Sequence, residues 1–378
     1  MQLVYLSPVP LTSFAQRPHH FVEWFHRRFN ARVIWIEPGP SRLPKAGDWR
    51  RLVRRGRSSL GPVWTKDAWI EKLIFPTLPV EPLAWGRKIN RWRWQDALRN
   101  LDGVMTSDTC LIVGKPCDLA LQLASRYPDK PLVFDVMDSM SAFSEGRSSI
   151  WMRRAEDELA ARADCIVTSS TALQEKFSAV GDKVQKVMNG LSAPDVKAYT
   201  CASPRKTEVF GYVGVIASWF DWEAVIRLAI SNPESEIRLI GPCEQRHTCV
   251  LPPNIRLLGA IAHEAVYAAM NEFSVGLIPF RINALTNFVD PVKYYEYRAI
   301  GLPVLSTRFG EMKHRTVRDH VFFFEDFGQA PPGGDLWHKR PSVEQTAAFC
   351  SENSWDSRFD SLDFFNRLGG SAPRSIAH

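Results

Sequence analysis

No two of the seven cysteines stand at a CxxC spacing, and Cys110, Cys117, Cys165, Cys201, Cys243, Cys249 and Cys350 offer no metal-ligand pattern. That excludes a zinc module or a disulfide scaffold, and the thiols read as those of a reduced, cytoplasmic protein. No apolar run approaches the roughly 20 residues that a membrane-spanning helix needs. The opening residues, MQLVYLSPVP, lack the charged and then apolar layout of a secretory leader. No short internal repeat is detectable, which sets aside solenoids and propellers.

What remains is the composition of a soluble globular protein, 45% apolar and 23% charged. At 378 residues the chain is too long for one ordinary core and suits two domains. Charge divides unevenly along it. Residues 1–100 hold 18 Lys/Arg against 7 Asp/Glu, a net of +11, while the remainder holds 29 against 34. Eight of the thirteen tryptophans also lie in the first 100 residues. The first half therefore has a partner or surface that the second lacks.

Short β-rich runs alternate with helical patterns. QLVYL (2–6), RVIWI (32–36), CLIV (110–113), PLVFDV (131–136), DCIVTS (164–169) and KVQKVM (183–188) read as strands. Amphipathic helices such as PHHFVEWFHRRF and SIWMRRAEDELAARA lie between several of them. Continuous apolar strands alternating with helices predict right-handed βαβ units and a parallel sheet. The stretch 189–206, rich in Gly, Pro and Ser, reads as a linker. Beyond it the same pattern restarts in EVFGYVGV, EIRLIGP, NIRLLG, FSVGLIPF, LPVLST and HVFFF. The expectation is two consecutive doubly wound α/β domains, 1–195 and 196–345, then helices over 346–368 and a disordered tail, 369–378. Ligands of such sheets bind at the carboxyl ends of the strands, here in a cleft between the domains.

The stretch DPVKYYEYRAIGLPVLS (290–306) carries the sharpest chemistry. Asp290-Pro291 is a helix start, and Gly301 with Pro303 ends the helix. Asp290 is read as the cap of that helix; the exposed N–H groups of its N-terminus favour an anion, above all a phosphate, and Lys293 in the first turn adds a full positive charge. Glu296, three residues on, shares that face and can accept two hydrogen bonds from the vicinal diol of a ribose. The competing reading is a surface ion pair on a solvated helix. Gly214 would let backbone approach the phosphates, or merely serves a strand-to-helix turn. Asp221 reads as the cap of the helix WEAVIRLA.

Residues 273–307 resemble the donor-binding segment of GT-B glycosyltransferases, particularly the family 4-like enzymes of bacterial surface polysaccharide assembly. EYRAIGLPV corresponds to their EAxAxGxPV helix, with Glu296 at the position that binds the donor ribose. YLSPVPLTSFAQRPHHF, FDVMDSMSAF, GYVGVIASWFDWE, IGP at 240–242 and LLG at 257–259 extend the likeness over nearly the whole chain. The resemblance implies two Rossmann-like domains, with the final helices returning to the first. It implies a nucleotide-diphosphate-sugar donor in the second domain and a lipid-linked or oligosaccharide acceptor in the first. Two departures stand out. The glutamate expected eight residues before Glu296 is Phe288, which leaves its role on the donor sugar to Asn287 or Asp290. No basic residue lies between Gly211 and Ile226, so Arg281 and Lys293 must neutralise the diphosphate.

Asp138, in the loop after LVFDV, is the candidate general base for the acceptor hydroxyl, with Asp135 a structural residue; both could equally cap a turn. Arg17 and His19 follow the first strand, on the acceptor side. No DxD pair occurs, so neither metal nor other cofactor is expected. RRLVRRGR (50–57) and WGRKINRWRWQDALR (85–99) interleave cations with indoles, as suits an anionic membrane surface. Nucleic acid ranks lower, since no known module is present. The expected protein transfers hexosyl or related groups in polysaccharide or exopolysaccharide biosynthesis. It would work in the cytoplasm, peripheral to the inner face of the plasma membrane. A nucleotide-sugar epimerase of the same fold, or a non-catalytic nucleotide-sugar or membrane-binding module, is the alternative.

Overall fold

The computed structural model describes residues 1–40, 68–144, 146–192, 207–244, 250–326 and 340–368. The basic run at 50–57, most of the linker and the tail lie outside them. The chain divides into two compact units, one formed by Met1–Met188 with the segment from Phe359, the other by Asn189–Arg358.

In the first unit, β1 (Gln2–Leu6), β2 (Arg32–Ile36), β3 (Ile70–Leu73), β4 (Thr109–Val113), β5 (Leu132–Val136), β6 (Cys165–Thr168) and β7 (Val184–Lys186) form one sheet, in the order β3-β2-β1-β4-β5-β6-β7. Every pairing is parallel. The central strands β1, β4 and β5 are buried along their whole length, as their unbroken apolar runs require. Its helices include α1 (Arg17–Phe29), α2 (Ala84–Arg93), α3 (Gln95–Asp102), α4 (Asp118–Arg126), α5 (Gly146–Arg162) and α6 (Thr171–Lys176). The strand order reverses between β1 and β4, the switch point at which doubly wound sheets open a crevice.

The second unit repeats the plan. Its strands β8 (Val209–Val213), β9 (Glu236–Ile240), β10 (Ile255–Gly259), β11 (Val275–Ile278), β12 (Val304–Ser306) and β13 (Val321–Phe323) pair in parallel in the order β10-β9-β8-β11-β12-β13. Here the switch lies between β8 and β11. Its helices include α7 (Trp222–Ser231), α8 (Val266–Met270) and α9 (Val292–Ala299). Asp221 caps α7, its carboxylate accepting from Ala224 N at 3.0 Å. On α9 the crowded tyrosines point inward: Tyr294, Tyr295 and Tyr297 are all buried. Glycines in β8 and β11 make room for this packing. A Cβ at Gly276 would lie 2.5 Å from the Tyr297 ring, and one at Gly211 would lie 2.2 Å from Phe273.

Beyond the last strand come α10 (Val343–Glu352), α11 (Trp355–Asp360) and α12 (Asp363–Leu368). Helix α10 stays in the second unit, where Phe349 meets Tyr294 at 5.8 Å and Cys350 Sγ donates to Ala299 O at 3.8 Å. Only from Phe359 does the chain pack on α1. Phe359 and Phe365 meet Phe21 at 5.0 and 5.7 Å, and Trp24 Nε1 donates to Asp360 Oδ1 at 2.9 Å. The start of the sequence-predicted linker is likewise structured in the second unit: Leu191 bridges to Ser354. Among the described residues no helix is long and apolar enough to cross a membrane.

A buried ion pair ties the start of α1 to β5. Arg17 Nε donates to Asp135 Oδ1 at 3.0 Å with both side chains almost fully buried, and Tyr5 Oη donates to the other carboxylate oxygen at 3.1 Å. Removing one partner strands the other charge in a dry site. Asp135→Ala should therefore cost about 3–5 kcal/mol of stability, read as a lowered urea midpoint for the first unit.

Candidate functional site

The second unit's switch point is closed by the loops after β8 and β11, stitched together by backbone bonds from Asp221 N to Pro279 O (2.7 Å) and Arg281 N to Trp219 O (2.7 Å). Gly214, at the end of β8, has a φ of 149°, in the region that favours glycine. A Cβ there would lie 2.5 Å from both Cε and Nζ of Lys293. The ammonium of the α9 first turn is thus seated directly on the glycine, 5.5 Å from the centroid of the Tyr212 ring. Gly241, at the end of β9, completes the seat: its φ is 140° and a Cβ would lie 2.0 Å from Gly214 O. Sequence reasoning read IGP (240–242) as part of the likeness without singling out Gly241 or Tyr212. A glycine after each of two adjacent strands was the available signal.

Lys293 is half-buried, and desolvation lowers its pKa, partly opposed by the Glu296 carboxylate. Among the described residues no carboxylate lies within ion-pairing distance of Lys293, Glu296 included, so the surface ion pair of the competing sequence reading is not formed. Glu296 is also half-buried. The first turn of α9 has no side-chain cap, and its N-cap position is Pro291. One face of α9 thus presents free amide donors, an unneutralised ammonium and an uncommitted carboxylate.

Three sequence expectations change at this level. Asp290 does not cap α9. Its Oδ1 accepts from Arg315 at 2.8 Å, and its Oδ2 accepts from Tyr295 Oη at 2.8 Å and Asn189 N at 2.9 Å. Burial pushes the Asp290 carboxyl up in pKa, and Arg315 opposes that. Both oxygens are spent holding the helix start, so Asp290 is a positioning residue rather than a donor ligand. Arg17, expected on the acceptor side, is consumed by the pair with Asp135 and by a bond to Val187 O at 2.9 Å. His19 is fully buried, where its Nδ1 accepts from Gln16 N at 3.2 Å and its Nε2 meets Leu11 O at 3.1 Å. Desolvation lowers the His19 pKa, and the ring serves the start of α1 and its preceding loop. Arg281 and Asn287 remain at the surface; Asn287 Oδ1 accepts from Lys313 Nζ at 3.5 Å.

In the first unit, Asp138 sits three residues beyond Asp135, in the bend after β5 at the carboxyl edge of the sheet. Desolvation pushes its carboxyl up to about 7, and the nearby Arg17 charge only partly opposes this. Among the described residues it has no hydrogen-bond partner. The loop that carries it is held on either side by Ser169 Oγ donating to Met137 O at 2.6 Å and Lys176 Nζ donating to Ser139 Oγ at 3.0 Å. Lys176 in turn pairs at 2.5 Å with the buried Glu156, which also accepts from Ser141 N at 3.2 Å. Neither Lys176 nor Glu156 was singled out from sequence, because their spacing of twenty residues follows no helical or strand period.

Two consequences are measurable. In Gly214→Ala, the methyl group displaces the end of Lys293 and strains a φ that other residues rarely adopt. The fold should survive while diphosphate affinity drops by about tenfold or more, as read by calorimetric titration. For Asp138, the folded carboxyl binds its proton more tightly than the unfolded one. Stability should therefore decline as pH rises from the ordinary aspartate range through about 7. Thermal melts of Asp138→Asn should lack that decline.

No protein-family profile matches the chain. A Bacillus subtilis (strain 168) protein named as a candidate teichuronic acid biosynthesis glycosyltransferase, TuaH, is 26% identical over 210 residues, which is 49% of this chain and 52% of that protein. The match thus spans about half the length of this curated relative. Among solved structures, sucrose-phosphate synthase from Thermosynechococcus elongatus superposes with a TM-score of 0.66 at 11% identity, covering 98% of this chain and all of that one. The lipopolysaccharide outer core galactosyltransferase WaaB follows with 0.62 at 13%, covering 97% of this chain and 100% of its own. Anabaena HepE in complex with UDP and glucose gives 0.60 at 14%, over 97% of this chain and 99% of its own. With its two doubly wound parallel sheets, the chain has the GT-B fold of glycosyltransferases.

Proposed function

We propose that the protein is a glycosyltransferase that moves a sugar from a nucleotide-diphosphate donor to a hydroxyl of a lipid-linked or oligosaccharide acceptor in surface polysaccharide assembly. The observation that carries the reading is the Lys293 ammonium, seated on Gly214 with no ion-pair partner among the described residues, at the N-terminus of a helix without a side-chain cap. A desolvated cation of this kind binds a diphosphate more strongly than an exposed one does, because less water competes. Glu296, one turn along, takes the ribose diol. Arg281 adds charge from the β11 loop, and Asn287 meets the sugar. The curated relative, named as a glycosyltransferase, supports this choice among the chemistries that the fold can host.

In the proposed reaction Asp138 accepts the proton of the acceptor hydroxyl while that oxygen bonds to the anomeric carbon. The bond from the anomeric carbon to the diphosphate oxygen breaks, and its electron pair leaves on the nucleoside diphosphate. A carboxyl pushed to about 7 is half-ionised near neutrality and is a stronger base than an ordinary aspartate. The leaving diphosphate keeps its charge against Lys293 and Arg281, so the transfer calls on the protein's own cations rather than on a metal. In this reading the transfer takes place in the cytoplasm, on an acceptor at the inner face of the plasma membrane.

UDP is the probe. It should raise the melting temperature of the protein, as any ligand of the native state does. Lys293→Ala should abolish the rise. Glu296→Ala should leave a smaller rise that no longer distinguishes UDP from its 2′-deoxy analogue. If both variants respond to UDP as the unmodified protein does, the donor site lies elsewhere.

A further inference from the structure

Helix α2 has an apolar face with nothing on it. Trp85, Ile89 and Trp92 are 56%, 39% and 69% exposed. At 3.6 residues per turn they fall within about 60° of arc. The opposite face fixes the helix in place. Gly86 lies against Val80, where a Cβ would meet the carbonyl oxygen at 2.2 Å. Asn90 is fully buried; its Oδ1 accepts from Leu78 N at 2.9 Å and its Nδ2 donates to Leu78 O at 3.1 Å. Trp94, just past the helix, is also buried. A glycine and an asparagine set into the preceding segment leave α2 no freedom to turn its indoles inward. Their exposure is a built feature.

Along the helix itself the charge has one sign. Helix α2 contains Arg87, Lys88, Arg91 and Arg93 and no acidic residue. Lys88 and Arg93 are exposed and flank the stripe on either side, while Arg91 is committed to a bidentate pair with Asp118, at 2.7 and 2.6 Å. Trp92 and Arg93 together line an open groove with Pro76, Gln95 and Asp96. Two indoles and an isoleucine rimmed by cations match one kind of surface in both polarity and charge: a bilayer containing anionic lipid. Trp partitions to the headgroup level, and the basic side chains reach lipid phosphates while their stems cover apolar area.

We propose that α2 docks the first unit on an anionic membrane, with Trp85, Ile89 and Trp92 entering the headgroup layer and Lys88 and Arg93 pairing with lipid phosphates. The proposal rests on the peripheral placing given above, and it assigns that placing to a specific face. It does not depend on glycosyl transfer, since docking requires no donor.

Co-sedimentation of the full chain with phosphatidylcholine–phosphatidylglycerol vesicles tests it. The unmodified protein should bind these vesicles, bind phosphatidylcholine alone at least about tenfold more weakly, and release as salt is raised. Trp85→Ser with Trp92→Ser should abolish binding, and Lys88→Glu should weaken it about fivefold, with melting temperatures unchanged because these side chains are exposed. Emission from Trp85 and Trp92, measured as the difference between unmodified and doubly substituted protein, should shift to the blue on binding. If the double variant binds as well as the unmodified protein, docking uses another face and α2 is overturned while the peripheral placing stands. If the unmodified protein fails to bind anionic vesicles, both fall. Conversion of a dimer to a monomer by the double substitution, without vesicle binding, would assign the face to a second copy of the chain and would also overturn the proposal.

Discussion

An ammonium group pressed onto a glycine and over a tyrosine ring has lost much of its water. Among the described residues no carboxylate is in contact with it, and the charge of Glu296 only partly compensates. A chain keeps Lys293 in this position only if the surroundings prevent its escape, and the second unit is organised to do that. The tyrosines of α9 are driven into the core, and Tyr297 reaches across to β8, accepting from Val213 N at 3.2 Å. Asp290, Arg315 and Tyr295 lock the helix start, with the Arg315 guanidinium stacked 3.5 Å above the Tyr294 ring. Glycines at the ends of β8 and β9 remove the side chains that would otherwise fill the space. Each of these features costs something in backbone freedom or buried charge, and the common outcome is one cation held facing the carboxyl edge of the sheet.

The relation of α9 to the rest of its unit also explains why the tyrosine run defeats simple periodicity. Tyr294, Tyr295 and Tyr297 cannot share one helical face, yet all are buried, because the core receives them from two sides: the sheet below Tyr297, and α10 with the Arg315 loop around Tyr294 and Tyr295. Lys293 and Glu296 occupy the remaining arc. A helix buried around most of its circumference has little choice about which residues it leaves outside the core.

Much of this was legible in the sequence. Apolar runs located both sheets, because a parallel strand buried on both faces leaves a local signature that needs no tertiary information. β3 escaped since IEKL is an edge strand with half of its residues exposed. The pairing of Lys293 with Glu296 on one face was readable from spacing, and so was Asp221 as a cap. The fate of Asp290, Arg17 and His19 was not. Each is a polar residue near a strand end, which is the signature of a ligand contact and equally of a buried anchor. The choice is made by partners 25, 118 and 8 residues away. Gly241 was hidden for the same reason, since its role is defined only by the carbonyl of Gly214 beside it.

Asp135 and Asp138 show how such partners divide the labour between two like residues. The three-residue spacing puts both carboxylates at the end of one strand, and both feel Arg17. Asp135 takes the guanidinium contact and the Tyr5 hydroxyl, and with them becomes part of the core. Arg17 is thereby occupied, so its charge reaches Asp138 only through space and cannot outweigh the loss of water around it. The proton affinity of Asp138 is thus a by-product of where the arginine is bound. Moving the contact from Asp135 to Asp138 would leave a buried lone anion in the core and an ordinary acid at the edge, losing stability and basicity together. The same pair that fastens α1 to the sheet therefore keeps its neighbour free to accept a proton.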